Sequence, residues 1–156
     1  GDLERAAHFT DRALALDPNN AWAWTRRGFI EAYRGRAVEA IAAFEHATRL
    51  SPLDPFSFNS YVGMGFANFV LGRHEEAVQW TLRAMREREG MTWANRDLAV
   101  FYALAGKVAD GRIAIAKLLD TRPGLTVHQV GEALRFIEPT ILARYLEGLR
   151  IAGLPE

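Results

Sequence analysis

The segment His74-Glu75-Glu76-Ala77-Val78 opens like the helical H-E-x-x-H zinc site, in which two imidazoles four residues apart face one metal. Val78 stands where the second imidazole is required, so His74 reads as a solvated histidine at a helix start. His8, His46 and His128 fall on three other predicted helices. Gly63-Met64-Gly65 has the glycine content of a phosphate-cradling loop, yet no Gly-Lys-Ser/Thr follows and the segment lies within a helical pattern, so close packing is the better reading. No serine stands at a recognisable spacing from a histidine and a carboxylate, and the adjacent acids Glu75 and Glu76 sit on an exposed helix start. With no cysteine, thiolate metal sites, disulfides and cysteine nucleophiles are excluded. These residues predict a protein that is not an enzyme and holds no metal or cofactor.

The chain of 156 residues is 49% hydrophobic and 24% charged, enough to bury a core in one domain or one short repeat array. Its 19 basic and 19 acidic residues give zero net charge, which argues against binding nucleic acid through phosphate neutralisation. Seventeen of the basic residues are arginine, a bias that fits a GC-rich genome better than phosphate recognition. No apolar run reaches the roughly 18 residues of a membrane span. No signal peptide is visible, so a cytoplasmic location is expected. The first residue is Gly1, which suggests a piece of a longer chain.

The elements that would position any site repeat at a fixed spacing. Gly1, Gly35, Gly72 and Gly106 are separated by 34, 37 and 34 residues. Ala6, Ala40, Ala77 and Gly111 share that spacing, as do Ala13, Ala47, Ala84 and Leu118. Pro18, Pro52 and Pro123 fit it too, with Glu89 in place of the missing member. Each unit reads as two antiparallel helices, with glycine at the turn, small residues where helices approach closely, and proline as a stop.

From Ala21 to Asp54 the chain resembles a tetratricopeptide repeat (TPR), with Trp24, Gly28, Gly35, Ala40, Phe44, Ala47 and Pro52 at signature positions. The division expected is 1–20 as the second half of a truncated repeat, 21–54 as a repeat, 55–90 as a repeat with three inserted residues, 91–125 as a further repeat, and 126–156 as capping helices. The fourth unit departs from the signature at Asn95 and Gly111. The resemblance implies an all-α, right-handed superhelical stack of antiparallel helix pairs, a TPR solenoid with a C-terminal helical cap.

Helices are predicted near 2–16, 20–34, 37–50, 55–71, 74–88, 92–105 and 108–121, with the insertion adding a turn to 55–71 and Asp54-Pro55 capping it. Thr126-Val127-His128-Gln129 reads as a capping box opening a helix to about Phe136. Pro139 begins the last helix, whose apolar stripe is Ile141, Leu142, Tyr145, Leu146 and Leu149. Helix 2–16 has apolar residues and no partner helix, which suggests dimerisation through that face. Arg27 and Glu31 stand at family positions that are normally apolar. Their four-residue spacing fits an ion pair, either buried at the junction with helix 2–16 or with a helix preceding it, or open to solvent.

The resemblance also implies a concave groove lined by the first helix of each unit. Carried over position by position, it is lined by Trp22, Thr25, Phe29, Ala32 and Tyr33, then Asn59, Val62, Phe66 and Phe69, then Trp93, Arg96 and Val100. Aromatic residues of this kind anchor partners, although such a stripe at helical spacing also fits a core. Repeats that clamp acidic chaperone tails carry Lys and Asn where this chain has Thr25, Phe29, Val62 and Phe66. An apolar or aromatic protein segment is therefore the expected partner, with Arg96 as an orienting charge. The expected function is a protein-interaction module; the alternative is a spacer or homodimerisation domain without an external ligand. Leu50 to Pro55, Gly65-Phe66-Ala67 and the ending Gly153-Leu154-Pro155-Glu156 further resemble the C-terminal repeat region of bacterial signalling proteins with a cyclase or winged-helix domain upstream.

Overall fold

The computed structural model describes residues 2–156. Among them are nine α-helices, one 3-10 turn and no strand: α1 (Asp2–Leu16), α2 (Ala21–Tyr33), α3 (Ala37–Leu50), α4 (Phe58–Val70), α5 (His74–Glu87), α6 (Asn95–Leu104), α7 (Val108–Thr121), α8 (Val127–Ala133) and α9 (Pro139–Ile151). Three tight reversals join α2 to α3, α4 to α5 and α6 to α7 by one device. Gly35, Gly72 and Gly106 take φ of +82°, +77° and +80°, a conformation cheap only without a Cβ. The next amide then reaches back to close the helix end, as in Arg36 N donating to Glu31 O at 2.8 Å, Arg73 N to Asn68 O at 2.9 Å and Lys107 N to Tyr102 O at 2.8 Å. The first glycine of that series, Gly1, lies outside the described residues.

Small residues set how closely the pairs stack. Phe44 of α3 is fully buried, and the tip of its ring lies against Gly28 of α2 and Gly63 of α4. A Cβ added at Gly28 would come within 2.5 Å of the ring, and one at Gly63 would overlap it further. Phe44 is thus a wedge held from two helices by two residues that lack side chains. Gly65, in the middle of α4, brings α5 equally close: its Cβ would meet Thr81 Oγ1 at 2.6 Å. The Gly63-Met64-Gly65 segment is a packing device inside a helix.

Three helix boundaries differ from expectation. The insertion adds no turn to α4, because residues 55–57 form a separate turn: Asp54 Oδ1 accepts from Phe56 N at 2.8 Å and Asp54 O from Ser57 N at 3.0 Å. An aspartate side chain bonding two residues ahead competes with helix propagation. Thr92–Ala94 wind as a 3-10 turn before α6, held by Asn95 Nδ2 donating to Thr92 O at 2.9 Å. The capping box at Thr126 and Gln129 is present with both of its bonds, yet α8 stops at Ala133. The chain extends at Glu138, as a residue before proline must, and the Glu138 carboxylate caps α9 through Ile141 N at 3.0 Å.

The path of α9 decides the site. Rather than only closing the end of the stack, it runs back across the first helices of the pairs. Glu138 N donates to Tyr33 O at 2.9 Å at the end of α2. Arg144 Nη2 donates to Phe69 O and Val70 O, both at 3.1 Å, at the end of α4. Gly148 packs on Val100 of α6, and Ala152, just past α9, meets Gly111 of α7. Tyr145 and Leu149 are fully buried, so α9 is a fixed part of the core.

Glu31 resolves the ion-pair question. It is only 4% exposed and is met by Arg27 Nε at 3.1 Å, Arg34 Nη1 at 3.5 Å and Arg36 Nη1 at 3.3 Å. Arg27 also pairs with Asp11, and Arg34 with Glu4 at 2.7 Å, both on α1. The buried carboxylate therefore sits at the α1–α2 junction as the centre of an arginine cluster.

Candidate functional site

Between α1, the first helices of the pairs, and the α8–α9 segment the concave side holds a cavity of about 530 Å³. Phe29 and Tyr33 face it from α2, Val62 and Phe66 from α4, and Trp93 from the turn before α6. Phe136, between α8 and α9, closes one end with its ring edge-on to Tyr33 at 5.1 Å between centroids. Leu3 and Ala6 of α1 also line it. Size and lining suit an organic group of modest dimensions rather than a long helix.

The cavity has a polar floor. Asp97 is 6% exposed; its Oδ1 accepts from the Tyr145 hydroxyl, and Arg96 donates its Nε to the same hydroxyl at 2.9 Å. Arg96 Nη2 lies 3.4 Å from Asp97 Oδ1. Burial pushes the Tyr145 phenol well above its ordinary range, so it stays a neutral donor. Tyr33 is pushed up to about 12, first by burial and then by the Asp97 charge. Arg96 is raised above its ordinary value, Tyr145 contributing most and Asp97 next.

Of the twelve residues named as groove candidates, the structure brings Phe29, Tyr33, Asn59, Val62, Phe66, Trp93 and Arg96 to this one cavity. Five stand elsewhere. Trp22 is 52% exposed at the start of α2, outside the cavity. Thr25 is buried, with its hydroxyl 3.0 Å from Ser60 Oγ, fastening α2 to α4. Phe69 is fully buried because α9 lies over it: Tyr145 meets it edge-on at 5.8 Å between centroids and the Arg144 guanidinium sits 5.0 Å from its ring centre. Ala32 and Val100 are buried as well. Arg96 corrects the expectation of a free orienting charge, since Asp97 and Tyr145 engage it.

Sequence reasoning missed Asp97, Tyr145 and Phe136. Asp97 adjoins Arg96, and a lone acid on an otherwise apolar helix was an available signal. Tyr145 was read as one of an apolar stripe, and nothing local distinguishes it; its partner is 48 residues away.

His74 sits where α9 crosses α4 and α5. Its ring lies 6.2 Å from that of Phe69, and its buried Nδ1 has no hydrogen-bond partner among the described residues. Burial, then the charge of Arg144, holds its pKa below the usual value. The folded state thus prefers the neutral ring, and this contribution is complete above the unfolded-state pKa of about 6.5 and is lost as pH falls toward the lower folded value. Urea midpoints at pH 7.5 and 5.5 should show a loss of stability at the lower pH that shrinks in His74→Gln.

No protein-family model and no curated protein matches the sequence. Solved structures do match in shape. PilW, a widely conserved type IV pilus biogenesis factor, superposes with a TM-score of 0.71 at 20% identity over 91% of this chain, and the chain spans 66% of PilW. YrrB, a TPR protein with an unusual peptide-binding site, superposes with 0.59 at 24% identity over 97% of this chain and 76% of its own. The chain has the fold of a TPR solenoid. MamA agrees, with a TM-score of 0.64 at 22% identity over 97% of this chain and 87% of its own. The TPR fold accounts for the helix pairs, the glycine turns and the concave side on which the cavity lies. Among the described residues no helix is long and apolar enough to cross a membrane.

Proposed function

We propose that this TPR array is a non-catalytic binding module whose concave cavity takes a short apolar or aromatic segment of a partner protein. The observation that carries the reading is convergence: seven residues from three first helices and the turn before the last of them, spaced by the repeat, surround one opening of about 530 Å³. Because α9 covers Phe69 and Val100, the partner has half a groove, which favours one bulky anchor over an extended strand or a threaded helix. The floor charges are paired with each other, so an acidic tail finds no unopposed cation there. In the repeat division proposed here, 21–54, 55–90 and 91–125 supply the walls and 126–156 the closing end. The likeness of Leu50 to Pro55 and of Gly65-Phe66-Ala67 to the repeat region of bacterial signalling proteins supports placing the module in the regulatory part of a cytoplasmic regulator.

The test is selection from a random peptide library followed by measured affinities. Selected peptides should lose at least tenfold in affinity for Asn59→Arg, which obstructs the cavity, and keep it for Val38→Arg, on the exposed face of α3. Equal loss in both variants, or in neither, overturns the reading.

A second reading, self-association through α1, is supported by the exposure of Phe9 and Leu16 on that helix. Sedimentation equilibrium should then show a dimer that Phe9→Ser weakens at least tenfold.

A further inference from the structure

We infer that the cavity is a phenol site: its floor recognises an uncharged aromatic ring bearing a hydroxyl group. This rests on the reading of the concave side as the binding side and specifies what enters it. The Arg96–Asp97 pair already holds one phenol. The Tyr145 hydroxyl donates to Asp97 Oδ1 and accepts from Arg96 Nε, which is the full complement of a phenol's hydrogen bonds. That leaves one polar atom of each partner over. Asp97 Oδ2 and Arg96 Nη1 have no protein partner among the described residues, and both residues line the cavity. An acceptor on a carboxylate more than nine-tenths buried and a donor on the arginine paired with it suit a second hydroxyl that gives its proton to Asp97 and accepts from Arg96.

The surroundings select the rest of the ligand. Phe29, Phe66 and Trp93 offer ring faces and edges, against which a flat aromatic body packs best. Charge selects against ions. Arg96 and Asp97 neutralise one another, and the rim adds Arg26 and Asp2, again one of each sign. A charged ligand group would lose its hydration there without gaining a counter-charge. The same chemistry is offered by a tyrosine side chain of a partner protein and by a free small phenol.

Titration of the native protein, followed by the NMR shift of the Trp93 indole N–H, tests this with defined compounds. N-acetyl-tyrosinamide should bind at least tenfold more tightly than N-acetyl-phenylalaninamide, because a site built around a hydroxyl leaves buried polar groups unpaired when it is missing. p-Cresol should bind at least tenfold more tightly than tyramine or 4-hydroxyphenylacetate, which add a positive or a negative charge. N-acetyl-tyrosinamide matching or exceeding p-cresol assigns the phenol to a partner's tyrosine; p-cresol tighter by tenfold assigns it to a free phenol. Asp97→Asn should bring the tyrosine-to-phenylalanine ratio close to one. If that variant fails to fold, the ligand series on the native protein still decides. Equal affinity for the two amides, or tighter binding of either charged analogue, overturns the inference. If no compound binds while selected peptides still do, the phenol site falls and the binding module stands; if neither binds, both fall.

Discussion

Gly63→Ala is expected to destabilise the protein by about 3 kcal/mol, at the upper end for one methyl group forced into a packed core. The new Cβ would overlap the ring of Phe44. That ring is fully buried and cannot retreat, because its tip already lies against Gly28 on α2. Relief requires α4 to move away from α2 and α3, which opens gaps around the Thr25–Ser60 bond and between the walls of the cavity. The clash and the wedge should therefore be coupled. Phe44→Leu alone loses packing, yet in combination with Gly63→Ala it should recover at least 1 kcal/mol relative to the sum of the single changes. Urea denaturation of the four proteins measures this. Additive effects would show that Gly63 matters for some reason other than Phe44.

The second large effect concerns Glu31. Glu31→Ala should cost about 3 kcal/mol, the low end for removing one partner from a buried ionic cluster, and lower the melting temperature by about 6–12 °C in a chain of this size. Arg27, Arg34 and Arg36 converge on this carboxylate; without it Arg27 keeps Asp11 and Arg34 keeps Glu4, while Arg36 loses its partner and the cluster at the junction of α1 and α2 loses its buried centre. The arginines can partly turn to water, which keeps the cost from being higher. Arg36→Ala should cost less than about 1 kcal/mol, because its side chain is mostly exposed and two arginines remain. The same substitution distinguishes packing from binding: losing Glu31 should loosen α1 against α2 while leaving Trp93 and the floor of the cavity unchanged. A melting temperature unaffected by Glu31→Ala would falsify the buried-cluster account.

The helix pairs and their reversals were legible in the amino-acid sequence because both are local. Gly35, Gly72 and Gly106 recur at the turns, and the positive φ they adopt is a property of the residue itself. The capping box at Thr126 and Gln129 needs only four residues, and both of its bonds are present. The Arg27–Glu31 pair followed from one helix turn, although Arg34 and Arg36 in the same cluster were not foreseen. Seven of twelve groove candidates meet in one cavity because repeat spacing carries a residue from one helix to the equivalent face of the next.

Tertiary structure decided which part of that concave face stays open. Whether Phe69 is a surface or a core residue depends on α9, which crosses it from about 75 residues further along the chain. No periodicity records that crossing, since the stripe on α9 would be the same if it only covered the end of the stack. Arg96 likewise reads as a free charge until Tyr145 arrives from 49 residues away to bind it together with Asp97. Helical repeats specify their own faces through nearest neighbours. What lies over a face is settled by packing between distant segments, and here that packing leaves an aromatic cavity with a paired, polar floor in place of a continuous groove.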